Sequence, residues 1–339
     1  MKLDHLERLA DDVGFIEHSN GPNPDPTQGH CTDDAGRLLG VLAPYSAGAR
    51  ERALCLHALD FLEHTHLGGG RFELRLGPDG EPTGHPSSDD ADARAIEGLG
   101  TAAALAIDPL VQARARSLVQ RTLAFRSRYP RAMAHAALGA VAILGREPFH
   151  VEARRLAADA SSLLASKPSS GPWPWPEPRL TYSNPIIPEA KLELALVQGN
   201  LAAAEEALDL LAWLVATERR GNHFSFTPVG GKGPGELGPG FDQQPIEAWS
   251  MARACATALR ATGDLSWYRP TQRAVAWFHG CNDVGVPLVD LQSGGGHDGL
   301  RRDGVNPNQG AESTIAAVAT SLIGAGLQQV TPAREASLA

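Results

Sequence analysis

Residues 89–145 read DDADARAIEGLGTAAALAIDPLVQARARSLVQRTLAFRSRYPRAMAHAALGAVAILG and contain three helical patterns in succession. Residues 89–105 and 131–145 are rich in Ala, Gly, Leu and Ile and carry few Lys or Arg, as expected of helices that are buried on most sides. Residues 109–128 between them set one apolar stripe against an arginine-rich face, which is typical of a helix that covers a core from outside. The stretch therefore predicts an inner, an outer and a second inner helix.

The same alternation continues toward both ends of the chain. Apolar residues recur at helical spacing, and hardly any stretch alternates with a period of two, so the chain is predicted to be all-α. The predicted inner helices are 33–44, 89–105, 131–145, 185–198, 243–262 and 309–325, and the outer ones are 3–12, 49–66, 109–128, 149–166, 201–218 and 265–279. Six such hairpins predict an (α/α)6 toroid, as a single domain over 1–326 with a polar tail at 327–339.

The connections between these helices are of two kinds. Short turns such as Asp108-Pro109 and Gly263-Asp264 combine a helix stop with a cap or a Pro start, which is typical of tight helix–helix turns. The segments that precede the inner helices are long, and loops beyond about 12–15 residues in a compact domain are usually functional. We therefore expect a pocket on the rim that the long loops form, namely 13–32, 67–88, 167–184, 219–242 and 280–308.

Composition excludes several classes of function. The formal charge of −9 leaves no basic stripe for phosphates, so no nucleic-acid partner is expected. No run approaches the roughly 18 apolar residues of a membrane span, and the first segment lacks the apolar core of a signal peptide, so a cytoplasmic protein is expected. The four cysteines are far apart without CxxC spacing, and neither a metal nor a cofactor is predicted.

Carboxylates gather at the predicted starts of the inner helices. Capping of the helix is one explanation for Asp33, Asp89 and Asp242, because Asp is a preferred N-cap. Acids that lie further inside a buried helix fit that explanation less well, because an unpaired charge there is costly. The acids of this second kind are Asp34, Asp90, Glu247 and Glu312.

The loop at 167–184 adds aromatic side chains in its WPWPEPRLTY segment at 173–182. Aromatic faces stack on the CH faces of sugar rings, while carboxylates and amides bind their hydroxyls. Packing of the tryptophans against the helices is the alternative. We predict these substrate-binding residues: Asp33, Asp90, Trp173, Trp175, Arg179, Tyr182, Gln243, Gln244, Glu247, His297 and Asn308.

Six segments resemble the (α/α)6-toroid glycosidase-like domains that occur alone or C-terminal to bacterial glycosyltransferases. The resemblance implies an oligosaccharide or glycoconjugate substrate, a glycosyltransferase as a partner, and cleavage of a glycosidic bond by hydrolysis or phosphorolysis. The segments are GFIEHS at 14–19, HCTDDAGRLL at 30–39, DDADARAIEGLG at 89–100, WPWPEPRLTYSNPIIPEA at 173–190, FDQQPIEAW at 241–249, and LVDLQSGGGHDGLRRDGVNPNQGAESTIAA at 288–317.

Cleavage of a glycosidic bond requires one carboxylic acid as proton donor and a second carboxylate as base or nucleophile. We predict Glu177 or Asp34 as the general acid, and Asp242 or Glu312 as the base. Two alternatives stay open. One is a sugar epimerase or isomerase that uses a pair of histidines, His30 and His297, and the other is a non-catalytic glycan-binding partner of a glycosyltransferase.

Overall fold

The computed structural model describes residues 2–165, 173–236 and 238–335, with side chains as far as residue 328. Within this part of the chain there are twelve α-helices, one at each predicted position. Their bounds are α1 Asp4–Leu9, α2 Thr32–Leu42, α3 Ala49–Thr65, α4 Asp89–Leu105, α5 Pro109–Val119, α6 Pro130–Leu144, α7 Val151–Leu164, α8 Ile186–Gln198, α9 Leu201–Glu218, α10 Pro245–Thr262, α11 Tyr268–Trp277 and α12 Ala311–Glu335.

Short strands stand in the long segments that precede the inner helices, where the sequence predicted loops. They form five antiparallel pairs in the described residues: β1 Ser19–Asn20 with β2 Asn23–Pro24, β3 His30–Cys31 with β6 Arg75–Leu76, β4 His66–Gly68 with β5 Arg71–Phe72, β7 Arg219–Arg220 with β8 His223–Phe224, and β9 Gly299–Arg301 with β10 Gly304–Asn306. Two or three residues leave no room for the alternation that reveals a strand in a sequence.

Helices α5 and α12 differ most in length from the prediction. Helix α5 ends at Val119 because the chain turns there: the Thr122 hydroxyl donates to the Val119 carbonyl at 2.8 Å, and Phe125 behind it is buried in the core. Helix α12 continues to Glu335, through residues that the sequence assigned to the tail. The domain boundaries of 1–326 and 327–339 stay a prediction.

Contacts within the chain divide it into two compact units. Unit 1 comprises residues 1–5, 167–189 and 206–339, and unit 2 comprises residues 6–166 and 190–205. Helices α2 to α7 therefore belong to unit 2, and α10 to α12 belong to unit 1.

Glycines let the inner helices of unit 2 pack backbone to backbone. A Cβ atom on Gly98 of α4 would lie 2.0 Å from the Gly36 carbonyl oxygen of α2. A Cβ on Gly100 of α4 would lie 2.4 Å from the Gly139 carbonyl oxygen of α6. Because no side chain fits at these points, the three inner helices approach closely and their first turns lie side by side.

The predicted short turns are confirmed by their capping bonds. Asp108 caps α5 by accepting the Leu110 and Val111 amides, each at 3.0 Å. Gly263 ends α10 with a φ of +67°, the left-handed conformation that favours glycine.

Candidate functional site

The first turns of α2 and α4, together with the turns that follow them and the second turn of α6, bring charged side chains together within unit 2. The group combines three predicted site residues with four that the sequence did not single out. We call it the first-turn cluster, and its members are Asp33, Asp34, Arg37, Asp90, Arg94, Glu97 and His135.

Arg37 holds the two carboxylates of α2. Its Nη1 atom lies 2.6 Å from Asp33 Oδ2 and 2.7 Å from Asp34 Oδ1. Asp34 is buried, whereas 18% of the Asp33 side chain is exposed. Burial raises the pKa of the Asp33 carboxyl, but the charges of Arg37 and Arg94 and the Cys31 thiol outweigh it, so this pKa lies below its ordinary value.

This placement does not support Asp34 as the general acid. A general acid has to hold a proton before the bond breaks. It must also reach the leaving oxygen, but Asp34 is 2% exposed and its Oδ1 is held by the Arg37 guanidinium at 2.7 Å. Asp34 is therefore placed to position Arg37, and through it Asp33.

On α4, Asp90 forms a second pair one turn apart with a buried arginine. Arg94 Nε donates to Asp90 Oδ2 at 2.8 Å, and 26% of the Asp90 side chain is exposed. Burial would raise the pKa of Asp90, but the charge and the hydrogen bond of Arg94 hold that pKa well below its ordinary value. Asp90 is thus an anion with an accessible face, as a substrate-binding carboxylate requires.

His135 of α6 completes the cluster. Its Nδ1 lies 2.5 Å from Glu97 Oε2, and 3% of the residue is exposed. Burial and the charge of Arg94 lower the pKa of the imidazole, and the carboxylates of Glu97 and Asp90 offset part of that effect. Neither His135 nor Glu97 was predicted, because a histidine and a glutamate inside helical patterns carry no signal of their own in one sequence.

Glu17 stands in the loop before α2, in the GFIEHS segment, and its carboxyl was also missed. Arg75 Nη2 donates to Glu17 Oε1 at 2.8 Å. Burial and the nearby charge of Asp33 raise the pKa of Glu17 beyond what Arg75 and His18 offset, so the pKa lies above its ordinary value. Glu17 and Asp33 are thus neighbouring carboxyl groups whose pKa values are moved in opposite directions.

In unit 1, the two predicted tryptophans of the WPWP segment differ in exposure. Trp175 is 1% exposed and stacks on Trp213 with 6.1 Å between ring centroids. Trp175 is therefore placed for packing within the protein, and stacking of a sugar on it stays a prediction. Trp173 is half-buried and meets Trp213 edge to face at 5.1 Å, so part of its surface is accessible.

Glu177 serves these tryptophans as a hydrogen-bond acceptor. Its carbonyl oxygen accepts from Trp173 Nε1 at 2.9 Å, and its Oε2 atom accepts from Trp175 Nε1 at 3.3 Å. Beyond it, Arg179 pairs with Glu236 at 2.6 Å on the surface, whereas 40% of Tyr182 is exposed. Tyr182 is therefore the predicted aromatic residue of this loop with the most accessible ring.

Gln243 is fully buried and organises the loops before α10. Its Nε2 donates to Asp283 Oδ2 at 2.7 Å, and its Oε1 accepts the Phe226 amide at 3.1 Å. Asp283 Oδ1 in turn lies 3.0 Å from His223 Nε2. Since both ends of the Gln243 amide are bound inside the protein, this geometry favours a supporting role, and the substrate contact of Gln243 stays a prediction.

Glu247, in the first turn of α10, is buried as well. Its Oε1 accepts the Ser183 amide at 2.5 Å, and the Ser183 hydroxyl contacts Ser250 Oγ at 2.9 Å. Glu247 thereby holds the end of the 173–184 loop against α10. A substrate contact of Glu247 stays a prediction. Gln244, which precedes α10, is half-buried.

The remaining predicted residues of unit 1 are half-buried. Asp242 Oδ2 lies 3.5 Å from Arg301 Nε, and Glu312 stands in the first turn of α12. Burial lowers the pKa of His297, which Asp290 partly offsets. Asn308 lies just before α12, where its carbonyl accepts the Asp298 amide at 2.9 Å.

Helix capping was one explanation for Asp33, Asp89 and Asp242, and the structure does not show it. Helices α2, α4 and α10 have no side-chain cap bond in the structure. Asp33 pairs with Arg37, and Asp89 binds both Arg71 Nη1 and Ser127 Oγ at 2.5 Å. The capping interpretation is therefore wrong.

The described residues hold no group of three or more His, Cys, Asp or Glu side chains arranged for a metal ion. Among them, no helix combines the length and apolar character needed to cross a membrane.

No protein-family model matches the chain, and no curated protein matches it by sequence. Solved structures do match. A sugar epimerase from a ruminal bacterium is 13% identical with a TM-score of 0.68, over 95% of this chain and 95% of that chain. The cellobiose 2-epimerase of Bacillus thermoamylovorans is 11% identical with a TM-score of 0.70, also over 95% of each chain.

A GH76 α-mannanase from Bacteroides thetaiotaomicron is 9% identical with a TM-score of 0.66, over 97% of this chain and 95% of that chain. These three structures are carbohydrate-active enzymes of the toroid fold. At such identities the likeness shows the fold alone. The predicted fold class, an all-α (α/α)6 toroid, is therefore confirmed.

Proposed function

We propose that this chain is a carbohydrate-active enzyme that cleaves a glycosidic bond, with Asp33 and Glu17 as the reacting carboxyl groups. One observation carries the proposal: the two groups are neighbours in unit 2 whose pKa values are moved apart, downward for Asp33 and upward for Glu17. A pair of titratable groups separated in this way is what a general acid and its partner carboxylate require.

The two roles follow from the surroundings of each group. Arg37 fixes the Asp33 carboxylate at 2.6 Å and keeps it anionic, so Asp33 is the base or nucleophile. Glu17 is bound to Arg75, but 19% of its side chain is exposed, and burial together with the charge of Asp33 raises its pKa despite that bond. Glu17 therefore donates a proton to the leaving oxygen. Asp90, anionic and partly exposed, binds sugar hydroxyls beside them.

The predicted residues of unit 1 keep their proposed roles where their placement allows it. Asp242 and Glu312 stay candidates for a further carboxylate, and Glu177 stays a candidate acid. Tyr182 and Trp173 have accessible aromatic surface for a sugar ring. A glycosyltransferase as a partner also stays a proposal.

The histidine-based alternative has less support from the residues that suggested it. His30 is fully buried and its Nε2 lies 2.9 Å from Asp11 Oδ2, so one member of the proposed His30–His297 pair is engaged in the core. Four carboxylates and one histidine make up the acid and base groups of the first-turn cluster. This balance favours carboxylate chemistry over proton exchange between two histidines.

The test is a screen of the purified chain against α- and β-linked manno- and gluco-oligosaccharides, with and without phosphate. Products are identified by mass spectrometry. Asp33→Asn and Glu17→Gln are each expected to lower the rate of cleavage by about 10²–10⁴-fold. Glu205→Gln, at an exposed position of α9 in the same unit, is the matched control and is expected to keep the wild-type rate.

Each other outcome has a distinct meaning. Wild-type cleavage by both Asp33→Asn and Glu17→Gln would place the reaction elsewhere. Incorporation of solvent deuterium into a sugar whose glycosidic bonds stay intact would indicate an epimerase. Binding without any chemical change would indicate a glycan-binding module.

A further inference from the structure

The unexplained member of the first-turn cluster is His135. Its ring is almost completely buried between charged groups, yet only one of its nitrogens has a hydrogen-bond partner. Nδ1 meets Glu97 Oε2 at 2.5 Å. For Nε2, no hydrogen-bond partner exists among the described residues.

The partner of Nδ1 determines the chemistry of Nε2. A carboxylate accepts hydrogen bonds, so the proton of a neutral imidazole lies on Nδ1 and points at Glu97. Burial and the charge of Arg94 lower the pKa of His135, although Glu97 and Asp90 oppose them. The ring is therefore neutral at pH 7, and Nε2 carries a lone pair.

A buried lone pair without a donor is unfavourable, and it is seldom kept in a protein interior without a ligand or an ordered water. The groups nearest to the ring indicate the ligand. Asp90 and Arg94 both lie close enough to the ring for their charges to affect the pKa of His135, and Arg94 also donates a hydrogen bond to Asp90.

Together, Nε2 and the Asp90 carboxylate accept hydrogen bonds, while Arg94 donates them. A neutral polyol matches this set, because each hydroxyl both donates and accepts. An anionic ligand does not match, since the cluster contains the four carboxylates Asp33, Asp34, Asp90 and Glu97 against two arginines.

We propose that His135, fixed by Glu97, forms with Asp90 and Arg94 a subsite for two neighbouring hydroxyls of a sugar. One hydroxyl donates to His135 Nε2, and the other lies between Asp90 and Arg94. This subsite rests on the proposed carbohydrate function and adds a residue that orients the substrate beside Asp33.

The test observes the imidazole directly in the full chain labelled with ¹⁵N-histidine. The His135 signals are those that disappear in His135→Gln. The matched control is His64→Gln, which removes an exposed histidine of α3. Without ligand, Nδ1 is expected to carry the proton and Nε2 to have the shift of an unbound lone pair. The probes are glycerol and methyl α-mannoside, and each is expected to move the Nε2 signal.

Affinity gives a second readout. His135→Gln and Glu97→Met are each expected to weaken binding of methyl α-mannoside by about tenfold, as loss of one hydrogen bond implies. Glu97→Met removes the acceptor of Nδ1–H, so the proton is no longer held away from Nε2. His64→Gln is expected to bind like the wild type. Glu97→Met keeps the approximate size of the side chain, so it tests the subsite even if His135→Gln fails to fold.

Several results would overturn the subsite. One is an Nε2 signal that shows a hydrogen bond before any probe is added and does not move afterwards, which would mean an internal water only. Another is unchanged affinity in both variants, and a third is the absence of binding by either probe. If the oligosaccharide screen finds no cleavage but glycerol moves the Nε2 signal, the subsite is supported and the proposed reaction is refuted. If cleavage occurs and the Nε2 signal stays fixed, the reaction stands and the subsite falls.

Discussion

Replacement of Arg37 by methionine is expected to destabilise the protein strongly at neutral pH and much less in acid. Arg37 is buried and binds Asp33 and Asp34 at 2.6 and 2.7 Å. Removal of one partner from a buried ion pair leaves uncompensated charge and costs about 3–5 kcal/mol. For a unit of this size, about 4 kcal/mol corresponds to a decrease in Tm of roughly 12 °C.

The pH dependence follows from the direction of the Asp33 shift. In the wild type the Asp33 pKa lies below its ordinary value of 3.8, so its stabilising effect is present above that value and is lost as the pH falls through the lower, folded-state pKa. In the variant without Arg37, burial raises the pKa of the Asp33 carboxyl. Acidification then protonates this carboxyl and removes the cost of its uncompensated charge. The difference in stability should therefore be largest near pH 7 and shrink toward pH 4.

The assay is urea unfolding of the wild type and Arg37→Met at pH 7 and pH 4.5, followed by circular dichroism. Arg114→Met is the matched control, because Arg114 also binds two carboxylates, Asp60 and Glu63, but on the surface. It is expected to cost less than about 1 kcal/mol. The assigned role of Arg37 would be refuted if Arg37→Met lowered the free energy of unfolding by less than about 1 kcal/mol, or by the same amount at both pH values.

Three further predictions concern packing, buried charge and the aromatic loop. Gly98→Ala should cost at least about 2 kcal/mol, because its Cβ would lie 2.0 Å from the Gly36 carbonyl oxygen; thermal unfolding measures this. Glu218→Gln should stabilise the chain by about 1–3 kcal/mol at pH 8 and leave its stability unchanged at pH 4. Burial raises the pKa of Glu218 to about 7 in the folded protein. The wild type therefore loses stability as the pH rises and this carboxyl ionises in the unfolded state. Trp175→Ala should lower Tm and leave the affinity for methyl α-mannoside unchanged. Tyr182→Ala should weaken that affinity and leave Tm unchanged. Calorimetry measures both properties.

Controls sharpen these three predictions. Gly145→Ala should be tolerated, because the nearest atom to its Cβ would be a carbonyl oxygen 3.4 Å away. A Glu218→Gln variant with the same pH dependence as the wild type would mean that Glu218 is ionised in the folded protein. Equal effects of Trp175→Ala and Tyr182→Ala on sugar affinity would restore the predicted stacking role of Trp175.

The helices could be predicted because their signals are local. Apolar spacing and residues such as Asp108 and Gly263 set each helix from its own sequence, and the structure confirms both turns. The role of a polar side chain depends instead on its neighbours in space. The sequence predicted Gln243 and Glu247 as pocket residues. Gln243 instead binds Asp283, which is 40 residues away in the chain, and Glu247 binds Ser183, which is 64 residues away.

The sequence contains one signal of the first-turn cluster. Asp33 and Arg37 are separated by four positions, and so are Asp90 and Arg94, a spacing that lets the two side chains of each pair meet on one face of a helix. The DDADARA run stands at the start of α4. Compared with DDAGR on α2, it repeats the same Asp–Arg spacing on the neighbouring inner helix.

This repeated spacing explains how carboxylates can be kept inside helices that are otherwise apolar. Each arginine is more deeply buried than the carboxylate that faces the accessible side: Arg37 lies beneath Asp33, and Arg94 beneath Asp90. The positive charge is thus held within the protein, and it keeps the outer carboxylates anionic despite their burial. The reverse order would place the guanidinium groups outward and favour an anionic ligand. The observed order presents fixed acceptors, which suits the hydroxyls of a neutral sugar.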